Sequence, residues 1–205
     1  STEGKRILLL GCGALGSVVA EHLVRAGTKS LILVDNGIVS PGILVRQRYS
    51  DRDVGFAKSK CLARSLMEIG LTTEIEVSFE NLETGIIDNF DLLHVDLIIN
   101  ATASAPVAHA IERDLQRACF LIPMISLSVS AAAQCGSVVV RMPRFHSGII
   151  AIDRLTKIGL VKDNAHHPVV RAFWPNKSEV KLFQPEPGCS KPTFTGSSAD
   201  LAAHA

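Results

Sequence analysis

The sequence has few aromatic residues, no excess of charge of either sign and no long hydrophobic run. Aromatic residues make up 5% of the 205 residues while hydrophobic residues make up 47%, so the apolar content is mainly aliphatic. Lys and Arg number 21 and Asp and Glu number 20, which leaves no basic surplus that would indicate nucleic-acid binding. No apolar run approaches the roughly 20 residues that a membrane helix needs. We therefore expect a soluble protein that binds neither nucleic acid nor a membrane.

The cysteines also lack a pattern. The five cysteines are an odd number and contain no C-x-x-C pair, which argues against a disulfide scaffold and a structural zinc site. They are Cys12, Cys61, Cys119, Cys135 and Cys189. We expect a reducing, cytoplasmic environment and predict no metal-ligating residue. Cys61 and Cys119 lie in helix-like apolar patterns, and with Cys12 and Cys135 they are interpreted as packing residues.

Short aliphatic runs alternate with helix-like segments along the first two thirds of the chain. The predicted strands are RILLL, SLILV, EIEVSF, DLIIN and FLIPMI, and the predicted helices are 17–25, 58–69 and 106–117. After Ile125, the stretch SLSVSAAAQCGSVVVRMP predicts a strand that turns at Gly136 and returns antiparallel. The order predicts an α/β fold, Rossmann-like and doubly wound, with a mostly parallel sheet and an antiparallel edge.

The composition changes near Pro143. Residues 1–142 are predicted to form a nucleotide-binding domain, and residues 143–205 an irregular C-terminal segment, because QPEPGCSKPTFTGSS is unsuited to regular structure. The chain starts at Ser1 without a secretory pattern and ends in SSADLAAHA, which resembles the beginning of a helix. We expect the sequence to be part of a longer protein.

The stretch LLLGCGALGSVVAEHLVRAG contains the spacing G-x-G-x-x-G between a predicted strand and a predicted helix. Gly11 would permit the tight bend, Gly13 the approach of backbone to a phosphate, and Gly16 close packing of helix on strand. The N-terminus of the helix would offer free N–H groups to an anion. The context predicts a phosphate-binding loop.

The glycine loop suits both NAD and ATP, and both nucleotides carry a ribose. Asp35 follows the strand LILV and is placed to accept hydrogen bonds from ribose hydroxyls. The next segment supplies the cations Arg46, Arg48, Lys58 and Lys60. A triphosphate and a leaving pyrophosphate need such cations, whereas dinucleotide enzymes have no general need for them. The cations favour ATP, with a NAD-dependent oxidoreductase as the alternative.

The segments GCGALGSVVAEHLVRAG, LVDNGIVSPGILVRQ, VGFAKSK and DLIINATAS, in this order and spacing, resemble the ubiquitin-activating superfamily of the ThiF/MoeB/HesA type. The resemblance covers about residues 6–140 and implies ATP and magnesium as cofactors. It implies adenylation of the C-terminal glycine of a ubiquitin-like protein, which many members then transfer to their own cysteine as a thioester. It also implies a downstream conjugating protein and these nucleotide-site residues: Gly11, Gly13, Gly16, Asp35, Arg46, Lys58 and Thr102.

Two positions depart from the family pattern. Ile43 stands where the family commonly has Asn, and Ala103 stands where it commonly has a magnesium-binding Asp. An alanine supplies no oxygen ligand to a hard cation. A catalytically silent partner half of such an enzyme is therefore a second hypothesis, although Asp35, Arg46 and Lys58 favour an active site.

Two further expectations concern thioester formation and assembly. Cys189 lies in PEPGCSKPTF, a segment with little apolar material to bury a thiol, and is our predicted nucleophile, while Arg46 and Lys58 are predicted to serve adenylation. The resemblance implies a dimer of nucleotide domains. The aliphatic stretch SVVVRM, residues 137–142, would otherwise leave a strand edge open to pairing, so we expect a homodimer.

Overall fold

Six strands form one sheet whose first five strands run parallel and whose last strand runs antiparallel. A computed structural model of the chain describes residues 2–69, 72–117, 121–131, 133–143, 147–175 and 198–205. The sheet has the order β3-β2-β1-β4-β5-β6. The predicted fold class is confirmed. The strands are β1 Arg6–Leu10, β2 Ser30–Val34, β3 Glu74–Ser78, β4 Leu97–Asn100, β5 Met124–Val129 and β6 Gly136–Arg141.

Helices cover the sheet, and the predicted ones form close to their expected places. The helices are α1 Ala14–Arg25, α2 Lys58–Met67, α3 Ala105–Arg117, α4 Ile149–Val161, α5 His167–Phe173 and α6 Ser198–His204. No helix in the described ranges is long and apolar enough to cross a membrane.

Two hydrophobic cores lie on the opposite faces of the sheet, because successive side chains of a strand point to opposite faces. In β1, Ile7 and Leu9 belong to the core that includes residues of α1 and α2. Leu8 and Leu10 belong to the other core, which includes residues of α3 and Ile149 of α4. A continuous aliphatic run therefore suits β1, which is buried on both faces. Its central position fixes where the loop after it emerges.

The β5–β6 hairpin forms, but its place differs from the prediction. The predicted strand FLIPMI is displaced, since β5 is Met124–Val129, and Gly136 begins β6 rather than making the turn. The turn is made earlier by Ser130, whose hydroxyl accepts hydrogen bonds from the N–H groups of Gln134 and Cys135. A serine hydroxyl that closes a turn in this way leaves no strong mark in the hydrophobic pattern.

The segment after Pro143 is more regular than expected where the structure describes it. Helix α4 packs against β6 and α3, and its residue Ile149 reaches the core. The expectation of irregular structure is therefore wrong for 149–173. SSADLAAHA does form a helix, α6, which packs against α1. The stretch QPEPGCSKPTFTGS, 184–197, lies outside the described residues, and the domain boundary near Pro143 stays a prediction.

Candidate nucleotide-binding site

The glycine loop lies at the carboxyl edge of the sheet, between the two neighbours of β1. Strand β1 pairs with β2 on one side and with β4 on the other, so the chain order reverses at β1. Ligands of open α/β sheets bind outside the carboxyl ends of the strands at such a point. Residues that follow β1, β2 and β4 therefore meet around the loop.

The three glycines of the loop have different surroundings. Gly11 has a φ of +93°, and a Cβ there would lie 3.0 Å from the Ala101 backbone. A Cβ on Gly16 would lie 1.9 Å from the Gly11 carbonyl oxygen, so only glycine lets α1 pack this closely. A Cβ on Gly13 would meet nothing within 4 Å. Gly11 and Gly16 thus serve packing, whereas Gly13 borders open space that a ligand can enter.

Helix α1 begins directly after this open space, with Gly13 as its N-cap and no side chain capping it. The first N–H groups of a helix have no partner within the helix, and the helix dipole places partial positive charge at this end. Loop and helix start together provide the donors and the charge that suit a phosphate.

Asp35 follows β2 and points its carboxylate at the loop. Its Oδ2 accepts a hydrogen bond of 2.7 Å from the Cys12 N–H, and its Oδ1 accepts one of 2.7 Å from the Gly37 N–H. A carboxylate oxygen can accept more than one hydrogen bond. Both oxygens therefore keep capacity for ribose hydroxyls while the two backbone bonds hold the side chain beside the loop.

Lys58 is brought to the same corner as Asp35. It is the first residue of α2, and its N–H donates to the Gly37 carbonyl over 3.0 Å. A Cβ on Gly37 would lie 2.8 Å from Asp35 Oδ1 and 3.4 Å from Lys58 Cδ and Cε. The structure thus brings Asp35 and Lys58 to the same glycine, while their roles in nucleotide binding stay predictions.

Arg46 lies half-buried in the turn after the short helix Pro41–Ile43, with its N–H donating to the Ile43 carbonyl over 3.1 Å. The same segment reaches the glycine loop three residues later, through Tyr49. Arg46 is thus carried by a segment that is anchored at the loop.

Thr102 follows β4 and lies against the loop, since its Cα would be 3.0 Å from a Cβ on Gly11. Its hydroxyl donates to Asn100 Oδ1 over 2.8 Å, and Asn100 is buried and donates in turn to the Ser126 hydroxyl. Thr102 therefore shapes the wall of the site, with its hydroxyl hydrogen already engaged inside the protein.

The two departures from the family pattern have clear local structures. Ile43 is half-buried and packs against the α1/α2 core. Ala103 has a φ of +51°, a left-handed conformation that alanine seldom adopts. Within the described ranges no cluster of three His, Cys, Asp or Glu residues could hold a metal ion. These residues do not fit the magnesium site that the resemblance implies, and we assign no step to that metal.

Two cysteines in the described ranges, Cys12 and Cys61, are poor nucleophiles. Cys12 and Cys61 are buried. Burial, followed by the charge of Asp35, raises the pKa of the Cys12 thiol well above its ordinary value. Burial also raises the pKa of Cys61. A thiol that stays protonated is unreactive, so their interpretation as packing residues agrees with the structure. Cys119 and the predicted nucleophile Cys189 lie outside the described residues.

Tyr49 is a residue of this site that the sequence analysis missed. Its hydroxyl donates to the Cys12 carbonyl over 2.5 Å inside the glycine loop. It is the chain's only tyrosine, and it stands within the polar stretch RQRYSDRD. A lone aromatic residue in a charged segment is the one sequence signal that could have drawn attention to Tyr49. The sequence pattern does not show which carbonyl accepts its hydrogen bond.

The sheet order and the glycine loop define a class, the α/β proteins that bind a nucleotide at the reversal of strand order. Within that class, the chain belongs to the ThiF family, which it matches over residues 2–180. It is 34% identical to the uncharacterized protein y4qC of Sinorhizobium fredii, over 98% of this chain and 35% of that protein.

Other relatives match about half of the chain. The chain is 34% identical to the ATP-dependent ubiquitin transferase-like protein Cap2 of Vibrio cholerae, over 51% of this chain and 18% of Cap2. It is 36% identical to ubiquitin-like modifier-activating enzyme 5 of Caenorhabditis elegans, over 42% of this chain and 20% of that enzyme. The chain thus spans about a third of y4qC and a fifth of the other two.

Solved structures share the fold. The Escherichia coli MccB structure with ATP has a TM-score of 0.59 and 18% identity, over 93% of this chain and 67% of that chain. The TcdA (CsdL) structure has a TM-score of 0.54 and 24% identity, over 64% and 51% of the two chains. At this identity the likeness concerns the fold alone.

Proposed function

We propose that the chain binds ATP at the glycine loop and adenylates the C-terminal carboxylate of a ubiquitin-like or similar carrier protein. The observation that carries the proposal is the meeting of an open glycine, an acid and a cation at one corner of the sheet: Gly13, Asp35 and Lys58. ATP needs a phosphate cradle, a ribose acceptor and positive charge at the same place. The nicotinamide alternative is not retained, because the chain belongs to the ThiF family.

The proposed reaction is a displacement at the α-phosphorus. A carboxylate oxygen of the carrier attacks that phosphorus, the bond to the bridging oxygen of the β-phosphate breaks, and pyrophosphate leaves with the bonding electrons. Asp35 would orient the ribose, and the N–H groups at the start of α1 would hold phosphate oxygens. Arg46 and Lys58 would stabilise the charge that grows on the leaving pyrophosphate.

The second candidate is a silent half that binds a nucleotide or a partner chain without chemistry. Ile43 and Ala103 favour it, because the first is committed to core packing and the second offers no oxygen. The two candidates differ in one measurable step, which is the reversible formation of pyrophosphate.

Exchange of labelled pyrophosphate into ATP, in the presence of ubiquitin-like carrier proteins that end in glycine, tests the proposal. We expect exchange by the wild-type chain and a loss of about 10²- to 10³-fold in Lys58→Ala and Arg46→Ala, the usual cost of one group that stabilises transition-state charge. Lys162→Ala, an exposed lysine after α4, is the control. ATP binding without exchange would favour the silent half, and unchanged exchange in both variants would refute the residue roles.

We further propose that Cys189 accepts the activated carboxyl group. Its thiolate would attack the acyl carbon of the adenylate, forming the thioester bond while the carbon–oxygen bond to AMP breaks. Cys189→Ala should then form the adenylate normally but yield no carrier adduct that a thiol reductant cleaves. Cys135→Ala is the matched control, and an adduct that survives in Cys189→Ala would assign the thioester to another residue.

A further inference from the structure

The Tyr49 hydroxyl lies between the glycine loop and the start of α2. It is 2.5 Å from the Cys12 carbonyl oxygen and 3.4 Å from the Lys58 carbonyl oxygen. The side chain is buried, with 9% of its surface exposed. One group therefore joins three segments that are distant in sequence: the loop, the segment that carries Arg46, and the first turn of α2.

The hydroxyl acts as a donor. A neutral phenol has one hydrogen to give, and both neighbouring carbonyls can only accept. Burial, followed by the nearby Cys12 and Asp35, raises the pKa of the Tyr49 phenol, so it keeps its hydrogen. The short distance assigns that hydrogen to the Cys12 carbonyl.

Holding the Cys12 carbonyl also fixes the next N–H group. The peptide between Cys12 and Gly13 is planar, and the described chain contains no cis peptide. In a trans peptide the N–H points opposite to the C=O, so the Gly13 N–H points away from Tyr49. Gly13 is the glycine that borders open space. The preceding peptide is held separately, because the Cys12 N–H donates to Asp35.

We propose that Tyr49 is a positioning residue that fixes the Cys12–Gly13 peptide plane and so presents the Gly13 N–H to a phosphate of the bound nucleotide. This inference rests on the proposed function. The Lys58 carbonyl oxygen lies 3.4 Å from the same hydroxyl, so the start of α2 adjoins the bond that Tyr49 makes to the loop. Tyr49 does not touch the nucleotide in this arrangement, and its influence passes through the backbone of the loop.

Calorimetric titration of the full chain with ATP tests the inference by comparing two hydroxyl deletions. Tyr49→Phe removes the bond to the loop. Thr73→Val removes a bond of 2.7 Å from the Thr73 hydroxyl to the Thr28 carbonyl. Both residues precede strands, so this bond lies at the amino ends of the strands, away from the glycine loop at their carboxyl ends. We expect the ATP dissociation constant to rise about fivefold to tenfold in Tyr49→Phe, as for the loss of one net hydrogen bond, and to stay unchanged in Thr73→Val.

A second readout needs no variant. Because Tyr49 is the only tyrosine, a chain labelled with ¹³C at the tyrosine Cζ gives one such resonance. We expect ATP to shift it, since the hydroxyl bonds the loop that meets the phosphate. An unshifted resonance at saturating ATP, or equal weakening in the two variants, would overturn the positioning role. A wild-type chain that binds no ATP would overturn the proposed function as well.

Discussion

At the scale of single residues, the glycine loop separates packing from binding. Gly16 lies against the Gly11 carbonyl, so Gly16→Ala forces backbone to move and should lower the free energy of unfolding by about 1–3 kcal/mol. Gly13 has a φ of −74° and open surroundings, so Gly13→Ala should lower the free energy of unfolding by at most about 1 kcal/mol, the scale of an N-cap change. The added methyl group should nevertheless narrow the space for a phosphate. Urea unfolding and ATP titration measure the two effects.

The pair serves as its own control. We expect the order of the variants to reverse between the two measurements. Gly16→Ala should have the lower free energy of unfolding, whereas Gly13→Ala should have the lower affinity for ATP. Equal ATP affinity of Gly13→Ala and the wild type would show that no ligand approaches this glycine.

Asp53, close in sequence to Tyr49, should make the free energy of unfolding depend on pH. Burial would raise the pKa of its carboxyl, but bonds from the Ser50 N–H and hydroxyl and the ion pair with Arg64 lower it below the ordinary value of 3.8. A carboxyl whose pKa is lowered by folding stabilises the protein above its unfolded pKa, and this stabilisation is lost as the pH falls through the folded pKa. Asp53→Asn should therefore cost about 1–3 kcal/mol at pH 7.

The difference between Asp53→Asn and the wild type should begin to shrink near pH 4, the usual pKa of an unfolded Asp, and shrink further as the pH falls through the lower pKa of the folded carboxyl. Asp51→Asn is the control, because Asp51 is exposed and lies with Asp53 in the short helix Asp51–Asp53. Chemical unfolding at a series of pH values measures this, and a difference that is constant down to pH 2 would exclude the proposed role of the charge.

The site residues show what a sequence can and cannot predict at this scale. Gly11, Gly16, Asp35 and Lys58 follow from spacing, because each lies next to the end or the start of a regular element. Tyr49 could not be predicted, since its partner is a backbone carbonyl 37 positions away. A carbonyl carries no side-chain signal.

At the scale of elements, α4 tests how far the cooperative unit extends beyond Pro143. Ile149 is 7% exposed and belongs to the core that includes Leu8 and Leu10 of β1 and residues of α3. Leu155 of the same helix is 63% exposed. Ile149→Ala should lower the free energy of unfolding by about 2–5 kcal/mol, and Leu155→Ala by at most about 0.5 kcal/mol. A single denaturant transition that shifts in Ile149→Ala would place α4 in the same unit as the sheet.

The elements also show which patterns are informative. Strands β1 and β2 are continuous aliphatic runs, and their bounds match the prediction residue for residue. Strand β5 was displaced because Pro123 and the serines of MISLSV dilute the apolar signal. Its pairing with β4 and β6, which depends on tertiary contacts, decides where it begins.

At the scale of the whole molecule, the outer edge of β6 bears on assembly, because no further strand pairs with it within the described residues. Val138 and Val140 are 60% and 50% exposed, and β6 is the last strand of the sheet. We propose a homodimer through this edge. The double variant Val138→Lys, Val140→Lys should lower the mass measured by light scattering from dimer to monomer, because lysine opposes strand pairing. Leu93→Lys, at an 88% exposed position, should leave the mass unchanged, and a monomeric wild type would refute the dimer.

The central position of β1 has a consequence for the order in which the molecule assembles. The bond from the Arg6 N–H to Asp96 spans 90 positions, and Gly11 meets Ala101 only after that long loop has closed. Contacts this distant in sequence form late and slowly, whereas the β5–β6 hairpin closes locally. We therefore expect the wall of the phosphate loop to form among the last steps of folding. ATP, as a ligand of the finished site, should slow unfolding while leaving the rate of folding unchanged.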